Sequence, residues 1–289
     1  MLLAVFAVWE HRAAAPMVPP ALLRARSFAA SCLVYVLSTA GLTGAMFYLT
    51  LLYQDVHGWS VLRTGLSWLF MNIPYLIIAR QAGRMHARLS SAAIVGAGCL
   101  IAGISLVVLS VLDASTPFVV AAAGYVLWGV GFGSSTPGIS HVAMRDVPSA
   151  VSGAASGVLN ASRQVGTSVG LAVLGAIGTG ATVSAWTARV SGFPAAARAA
   201  ASGQAQNVAG ARIAAVTGAL GPRYRDAAVQ SFVHGYHLAV GAGAACLLAA
   251  ALIAFIGLRT RPSSQPCAPT ADAPVSTPIP AQESVPGQS

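Results

Sequence analysis

Three polar side chains occupy adjacent turns of a segment that otherwise predicts a membrane helix. They are Asn160, Arg163 and Gln164, and they lead into the apolar stretch LAVLGAIGTGATVSAW. Amide and guanidinium groups recognise a ligand by hydrogen bonding and charge. A charge at this depth must face protein or water. Either the arginine extends to the lipid headgroups, or the three side chains line a substrate pathway or a gate.

The same segment carries glycines at intervals of four residues. Gly153 and Gly157 form one pair, and Gly166 and Gly170 form another. Small residues at this spacing let two helix backbones approach closely in lipid. The glycines therefore predict a helix–helix contact, which is either simple packing or, at the first pair, a contact that moves during transport. On the second interpretation, Gly157→Leu blocks transport by wedging two helices apart.

Two further groups of residues contain polar side chains that could form a site. Asn72 stands two residues before Pro74 in another apolar run. A buried amide needs a partner, so this asparagine either bonds a neighbouring helix or faces a cavity, while the proline predicts a kink. His234 and His237 have the spacing of metal ligands, but no third ligand is evident, and we predict no metal site.

The sequence lacks two common motifs of catalytic and cofactor-binding sites. The sequence has no His-Glu-x-x-His motif and no Gly-x-x-x-x-Gly-Lys phosphate loop. We also find no convergent set of ionisable residues at one membrane depth. These observations indicate a protein that is not an enzyme and that uses no cofactor. Because no acidic residue falls inside a predicted membrane helix, a proton carrier of the kind that pumps use is not expected in this chain.

Composition indicates a membrane protein. The 289 residues are 56% hydrophobic and 8% charged, whereas soluble domains carry about 25% charged residues. The net charge of +9 comes from arginine alone. These arginines are scattered between apolar runs rather than gathered on one face, so the pattern is that of membrane-protein loops and excludes nucleic acid as a partner.

Six apolar runs are long enough to span a bilayer, which needs about 20 residues. They cover approximately residues 28–52, 64–82, 89–112, 116–141, 154–182 and 230–258. A long loop, about 189–229, separates the last two, and residues 259–289 are rich in proline and serine, which predicts a disordered tail. An even number of spans places both ends of the six-helix block on one side of the membrane. The segments on that side hold ten of the sixteen arginines, so we expect both ends to be cytoplasmic.

Four stretches resemble a known family in order and spacing. VPSAVSGAASGVLNASRQVGTSVGLAVLG is similar to the penultimate-helix signature of the fourteen-helix multidrug exporters, a drug:H+ antiporter group of the major facilitator superfamily. WEHRAAAPMVPPALLRARSF, FYLTLLYQDVHGWSVLRTGL and AGRMHAR also resemble that group, over residues 9–258 in all. The last resembles the basic cytoplasmic loop of the C-terminal bundle, here represented by Arg84 and Arg88, although LSSA follows where the family has a Gly/Arg-rich turn.

The resemblance implies an all-α membrane protein whose six transmembrane helices form the C-terminal half-bundle of a major facilitator fold. Residues 1–27 are then the end of a linker helix and a cytoplasmic lead-in, and 28–258 are the bundle. It implies export of small amphipathic substrates across the inner or plasma membrane, with the lipid bilayer and either a missing N-terminal half or a second copy as partners. The alternative is a truncated, non-transporting membrane protein that is inactive or pairs with another transporter half.

Overall fold

A computed structural model describes residue 22 and residues 24–258, apart from the side chains of residues 86–88 and 196. Most of the expected linker-helix segment and the whole expected tail lie outside these residues. Numbered in chain order, the helices are α1 (Arg26–Leu51), α2 (Val61–Ser67), α3 (Leu69–Arg88), α4 (Ser91–Ser110), α5 (Phe118–Met144), α6 (Ser152–Val190), α7 (Ala195–Ser202), α8 (Ala205–Ala209), α9 (Ile213–Leu220) and α10 (Arg225–Gly257). A π-helical turn, Leu52–Val56, extends α1.

Six helical segments among the described residues are long and apolar enough to cross a membrane. The first span is α1, the second combines α2 with α3, and the other four are α4, α5, α6 and α10. This confirms the predicted all-α membrane fold with six spans. The predicted ends of the last two were wrong, because α6 continues to Val190 and α10 begins at Arg225. Residues of both extensions are buried, among them Trp186, Val190 and Ala228, so tertiary packing rather than helix propensity extends both helices. The intervening loop itself forms α7, α8 and α9.

Two helices form the centre of the bundle. α1 and α10 pack side by side, and each also packs against α6. α10 further contacts α4, which pairs with α5, and α3 packs mainly on α5. α5 and α6 touch each other at few points. A gap therefore remains between α5 and α6, with α1 behind it.

Glycines allow the closest helix pairs to form. A Cβ added to Gly41 of α1 would lie 2.6 Å from the carbonyl oxygen of Gly243 in α10. One added to Gly131 of α5 would lie 2.5 Å from the backbone nitrogen of Ala102 in α4. Lipid supplies little hydrophobic drive for helix association, so this close approach of backbones contributes much of the attraction.

The second span is interrupted between α2 and α3. The break lies at Trp68, and α3 continues through Pro74, where the expected kink stays a prediction. The Trp68 carbonyl oxygen accepts hydrogen bonds from the backbone nitrogens of Met71 and Asn72, at 3.1 and 2.9 Å. The hydrogen-bonding pattern thus changes six residues before Pro74, whereas the proline ring crowds the carbonyl four residues before it, which belongs to Phe70.

The predicted basic loop is helical. Arg84 and Arg88 both belong to α3, which ends at Arg88, so their assignment to a loop was wrong. The connection to α4 is only residues 89–90, and the Ser90 side chain caps α4 by accepting from the backbone nitrogen of Ala93 at 3.3 Å. The residues before it form helix readily, so α3 extends up to this cap. Arg84 is exposed.

Two buried tryptophans provide a test of how the α7–α9 segment is held. Trp186 of α6 donates from Nε1 to the Ala201 carbonyl oxygen at 2.9 Å, whereas the Nε1 of Trp128 in α5 has no partner among the described residues. Both side chains are fully buried. We expect Trp186→Phe to destabilise the protein by about 0.5–1.5 kcal/mol more than Trp128→Phe, because it removes one buried hydrogen bond, while the Ala201 carbonyl oxygen still accepts from the Gln204 nitrogen. Thermal unfolding of both variants in detergent measures the difference, and equal melting temperatures would contradict it.

Candidate functional site

A cavity of about 340 Å3 lies in the gap between α5 and α6. We call it the Arg163 cavity. Tyr35 of α1 lies at its base, Thr136, Ser140 and Met144 of α5 form one wall, and Ser156, Leu159, Asn160 and Arg163 of α6 form the other. Hydroxyl, amide and guanidinium groups therefore share one cavity inside a mostly apolar bundle.

The α6 wall supplies the charge. Arg163 donates from Nη2 to Oδ1 of Asn160 at 3.0 Å, and both side chains are exposed. The ion pairs among the described residues do not include this arginine. A guanidinium has five N–H donors, so most of its donors face the cavity or solvent. An uncompensated cation in this position favours anionic groups and hydrogen-bond acceptors.

The depth of the arginine follows from its backbone contact with α1. The carbonyl oxygen of Arg163 accepts a hydrogen bond from Oγ1 of Thr39 at 3.1 Å. Thr39 lies near the middle of the candidate span Arg26–Val56. The side chain, however, is directed one turn back toward Asn160, as arginine side chains on helices usually are.

The α5 wall supplies hydroxyl groups that sequence reasoning missed. The Tyr35 hydroxyl lies 3.1 Å from the Ser140 hydroxyl and donates to the Thr136 carbonyl oxygen at 3.4 Å. Oγ1 of Thr136 is buried with no hydrogen-bond partner among the described residues. An unpaired buried hydroxyl costs free energy unless water or a ligand reaches it. The signal in the sequence was a threonine and a serine one turn apart, on either side of Pro137, in an otherwise apolar run.

Two of the four polar residues singled out from the sequence line this cavity. Asn160 and Arg163 come together there, whereas Gln164 is exposed on α6 and lies outside the lining. Asn72 is also exposed, and its Nδ2 donates to the Trp68 carbonyl oxygen of its own helix segment at 2.9 Å. It therefore neither bonds a neighbouring helix nor faces this cavity.

The four glycines divide into two unlike pairs. A Cβ on Gly166 would lie 2.5 Å from the Val36 carbonyl oxygen, and one on Gly170 would lie 2.5 Å from that of Ala40, so both contact α1. At Gly153 and Gly157 an added Cβ would meet nothing within 4 Å. The predicted contact at Gly153 and Gly157 does not exist within the described bundle, because that turn of α6 faces outward.

The glycine pair at the α1 contact also encloses a serine in a Gly-x-Ser-x-Gly spacing. Ser168 is exposed, and the whole stretch lies within the continuous helix α6. The nucleophile turn of hydrolases instead joins a strand to a helix. This serine therefore carries no sign of a hydrolase site.

Comparisons with known proteins agree with this architecture. A sequence profile of the Major Facilitator Superfamily matches residues 6–171. The chain is 32% identical to the methylenomycin A resistance protein of Streptomyces coelicolor over 174 residues, which make up 60% of this chain and 37% of that protein. It is 29% identical over 269 residues to the puromycin resistance protein pur8 of Streptomyces alboniger, covering 90% of this chain and 46% of that protein.

A third relative is named for efflux. The multidrug efflux pump LfrA of Mycolicibacterium smegmatis is 28% identical over 180 residues, or 61% of this chain and 35% of that pump. The chain thus spans less than half the length of each of these relatives. Since the family profile covers more than half of this chain, and six helical segments can cross a membrane, the chain belongs to the Major Facilitator Superfamily of membrane transporters.

Proposed function

We propose that the chain is the C-terminal six-helix half of a proton-coupled exporter of the fourteen-helix multidrug group. In this proposal it exports small amphipathic compounds across the inner or plasma membrane, with both ends of the six-helix block in the cytoplasm. The names of the relatives, which refer to drug resistance and efflux, support the substrate class. The share of their length that the chain spans supports its being one half of a transporter.

The observation that carries the proposal is a polar cavity flanked by exposed apolar helices. Each span contains an 18-residue apolar stretch. In the span that contains α3, 11% of that stretch is buried inside the bundle, and in α6 22% is buried. The corresponding share in the other four spans is 44–61%. α6 forms one wall of the Arg163 cavity and α3 packs on the helix that forms the other. A second six-helix half that covered both helices would enclose the cavity at its interface.

This arrangement fits alternating access by rocking of two halves about a site between them. Asn160 and Arg163 would bind polar groups of the substrate while its apolar part rests against the second half. Gly153 and Gly157, which face open space in this bundle, would form the moving contact with that half. Gln164 and Asn72, both exposed, would line the same interface. The proton-carrying carboxylate would belong to the second half.

A chimera tests the proposal. The region of the puromycin resistance protein pur8 that matches this chain is replaced by residues 1–289, and efflux of carboxyfluorescein, an amphipathic anion that suits the Arg163 cation, is measured in a bacterial host that lacks its own exporters. We expect efflux above the empty-vector level that a protonophore abolishes. A chimera that reaches the membrane in the amount of the parent but exports no dye would contradict the proposal and favour the non-transporting alternative.

A further inference from the structure

A second cavity, of about 590 Å3, lies farther along α1 and α6 than the Arg163 cavity. We call it the Asp55 cavity. Its lining includes Phe47, Leu51 and Asp55 from the end of the first span, Thr179 of α6, and Asn207 and Arg212 from the α8–α9 segment. Thr179 follows Arg163 by sixteen residues, so the two cavities are separated by about 24 Å along a helix that rises ~1.5 Å per residue.

The cavity is lined by two opposite charges that form no direct ion pair among the described residues. Asp55 and Arg212 both line the cavity. No salt bridge joins them, and neither side chain has a hydrogen bond among the described residues. Both side chains are exposed, and a direct pair between exposed charges contributes little free energy. The open pair therefore leaves a carboxylate and a guanidinium both available to a ligand.

The backbone holds the two charges in these positions. Asp55 lies in the π-helical turn Leu52–Val56, and such turns are frequent at functional sites. Arg212 follows the buried Ala211, whose φ of 57° lies in the left-handed region. That conformation costs a residue with a Cβ about 1–2 kcal/mol. Two backbone hydrogen bonds hold this turn in place. The Arg212 nitrogen donates to the Asn207 carbonyl oxygen at 2.8 Å, and the Ala211 nitrogen donates to the Val208 carbonyl oxygen at 3.0 Å.

The remaining lining combines an apolar wall with neutral polar groups. Phe47 is 43% exposed, and Leu51 is half-buried. Nδ2 of Asn207 donates to Oε1 of Gln204 at 2.7 Å, and its Oδ1 accepts no hydrogen bond from the residues that the structure describes. An aromatic ring beside a carboxylate suits an alkylammonium group, and the guanidinium suits a carboxylate or phosphate.

We infer that the Asp55 cavity binds a zwitterionic amphipathic molecule. Its ammonium group pairs with Asp55, its anionic group pairs with Arg212, and its apolar part packs on Phe47 and Leu51. A purely cationic ligand is repelled by the arginine, and a purely anionic ligand is repelled by the aspartate. A phospholipid such as phosphatidylethanolamine and a soluble compound share this chemistry. Binding at the cavity does not require transport, so its test is independent of the proposed function.

The test uses the full chain, purified in an uncharged maltoside detergent, and isothermal titration calorimetry. Three probes carry the same octyl chain: N-octyl-N,N-dimethylglycine, octyltrimethylammonium and octyl sulfate. We expect the zwitterionic glycine derivative to bind most tightly. Asp55→Asn and Arg212→Gln should each weaken its binding about tenfold, which is the size of one charge-assisted interaction. The charge-swapped double variant Asp55→Arg/Arg212→Asp should recover most of the lost affinity, since it offers the same two charges in reverse.

Controls and a second ligand make the result decisive. Asp226→Asn and Arg223→Gln make the same charge changes outside the lining and should leave binding unchanged, and thermal unfolding checks that every variant is folded. If the cavity variants bind as the controls do, or if octyltrimethylammonium binds as tightly as the zwitterion, the inference is wrong. A parallel titration with dihexanoylphosphatidylethanolamine identifies the source: tighter binding of the phospholipid assigns the cavity to a bilayer lipid, and tighter binding of the glycine derivative assigns it to a soluble compound.

Discussion

Gly170→Leu is expected to remove the folded six-helix bundle from the membrane. The three atoms nearest to an added Cβ all belong to the backbone of Ala40. A neighbouring side chain can rotate away, but a helix backbone cannot, so α1 and α6 must separate. Overpacking at a tight site costs about 1–3 kcal/mol when side chains can adjust, and here the cost should exceed that range. Because α1 also packs against α10, the disturbance reaches the centre of the bundle.

Gly157→Leu is the matched control on the same helix. An added Cβ there meets nothing within 4 Å, and leucine raises helix propensity relative to glycine. We expect this variant to reach the wild-type amount in membranes and to melt at or above the wild-type temperature, whereas Gly170→Leu is degraded or melts far lower. If both variants behaved alike, the close contact between α1 and α6 would be wrong.

This pair of variants also shows where the sequence alone is insufficient. Each glycine pair has a four-residue spacing, but nine residues separate Gly157 from Gly166, so at about 3.6 residues per turn the two pairs lie on opposite faces of α6. The spacing does not identify which of these faces is covered, because Val36 and Ala40 are far away in the chain. The effect of Gly157→Leu predicted from the sequence therefore depends on a partner outside this bundle, and it remains a prediction about the complete transporter.

Features set by residues close together in the sequence could be predicted, whereas contacts between residues far apart in the sequence could not. The six spans follow from hydropathy, since every membrane segment must satisfy its own backbone. The Asn160–Arg163 contact follows from helix geometry, since residues three apart lie on one face. The hydroxyl groups of Tyr35, Thr136 and Ser140 come from two other helices, and only their packing brings them to the Arg163 cavity.

Arg163→Met is expected to abolish export in the chimera while leaving its amount in the membrane unchanged. Methionine keeps the apolar stem but removes the cation of the Arg163 cavity and the donor to Asn160 Oδ1. Arg163→Lys keeps a positive charge but loses the planar, multiple-donor geometry of the guanidinium, so we expect an intermediate rate, lowered about tenfold, the equivalent of ~1.4 kcal/mol. Initial rates of dye efflux in cells with matched expression measure both.

These variants separate the two interpretations of the arginine that the sequence leaves open. If Arg163 only anchors α6 at the headgroups, lysine should replace it fully, because any long cationic side chain can extend to the interface. Arg24→Met, an exposed position ahead of α1, controls for loss of one surface charge and should export normally. A wild-type rate in Arg163→Lys together with a lower membrane amount of Arg163→Met would establish the anchoring role. A lowered rate in both, at constant amount, requires the guanidinium itself to meet the substrate or a gate, because membrane insertion would then be unaffected.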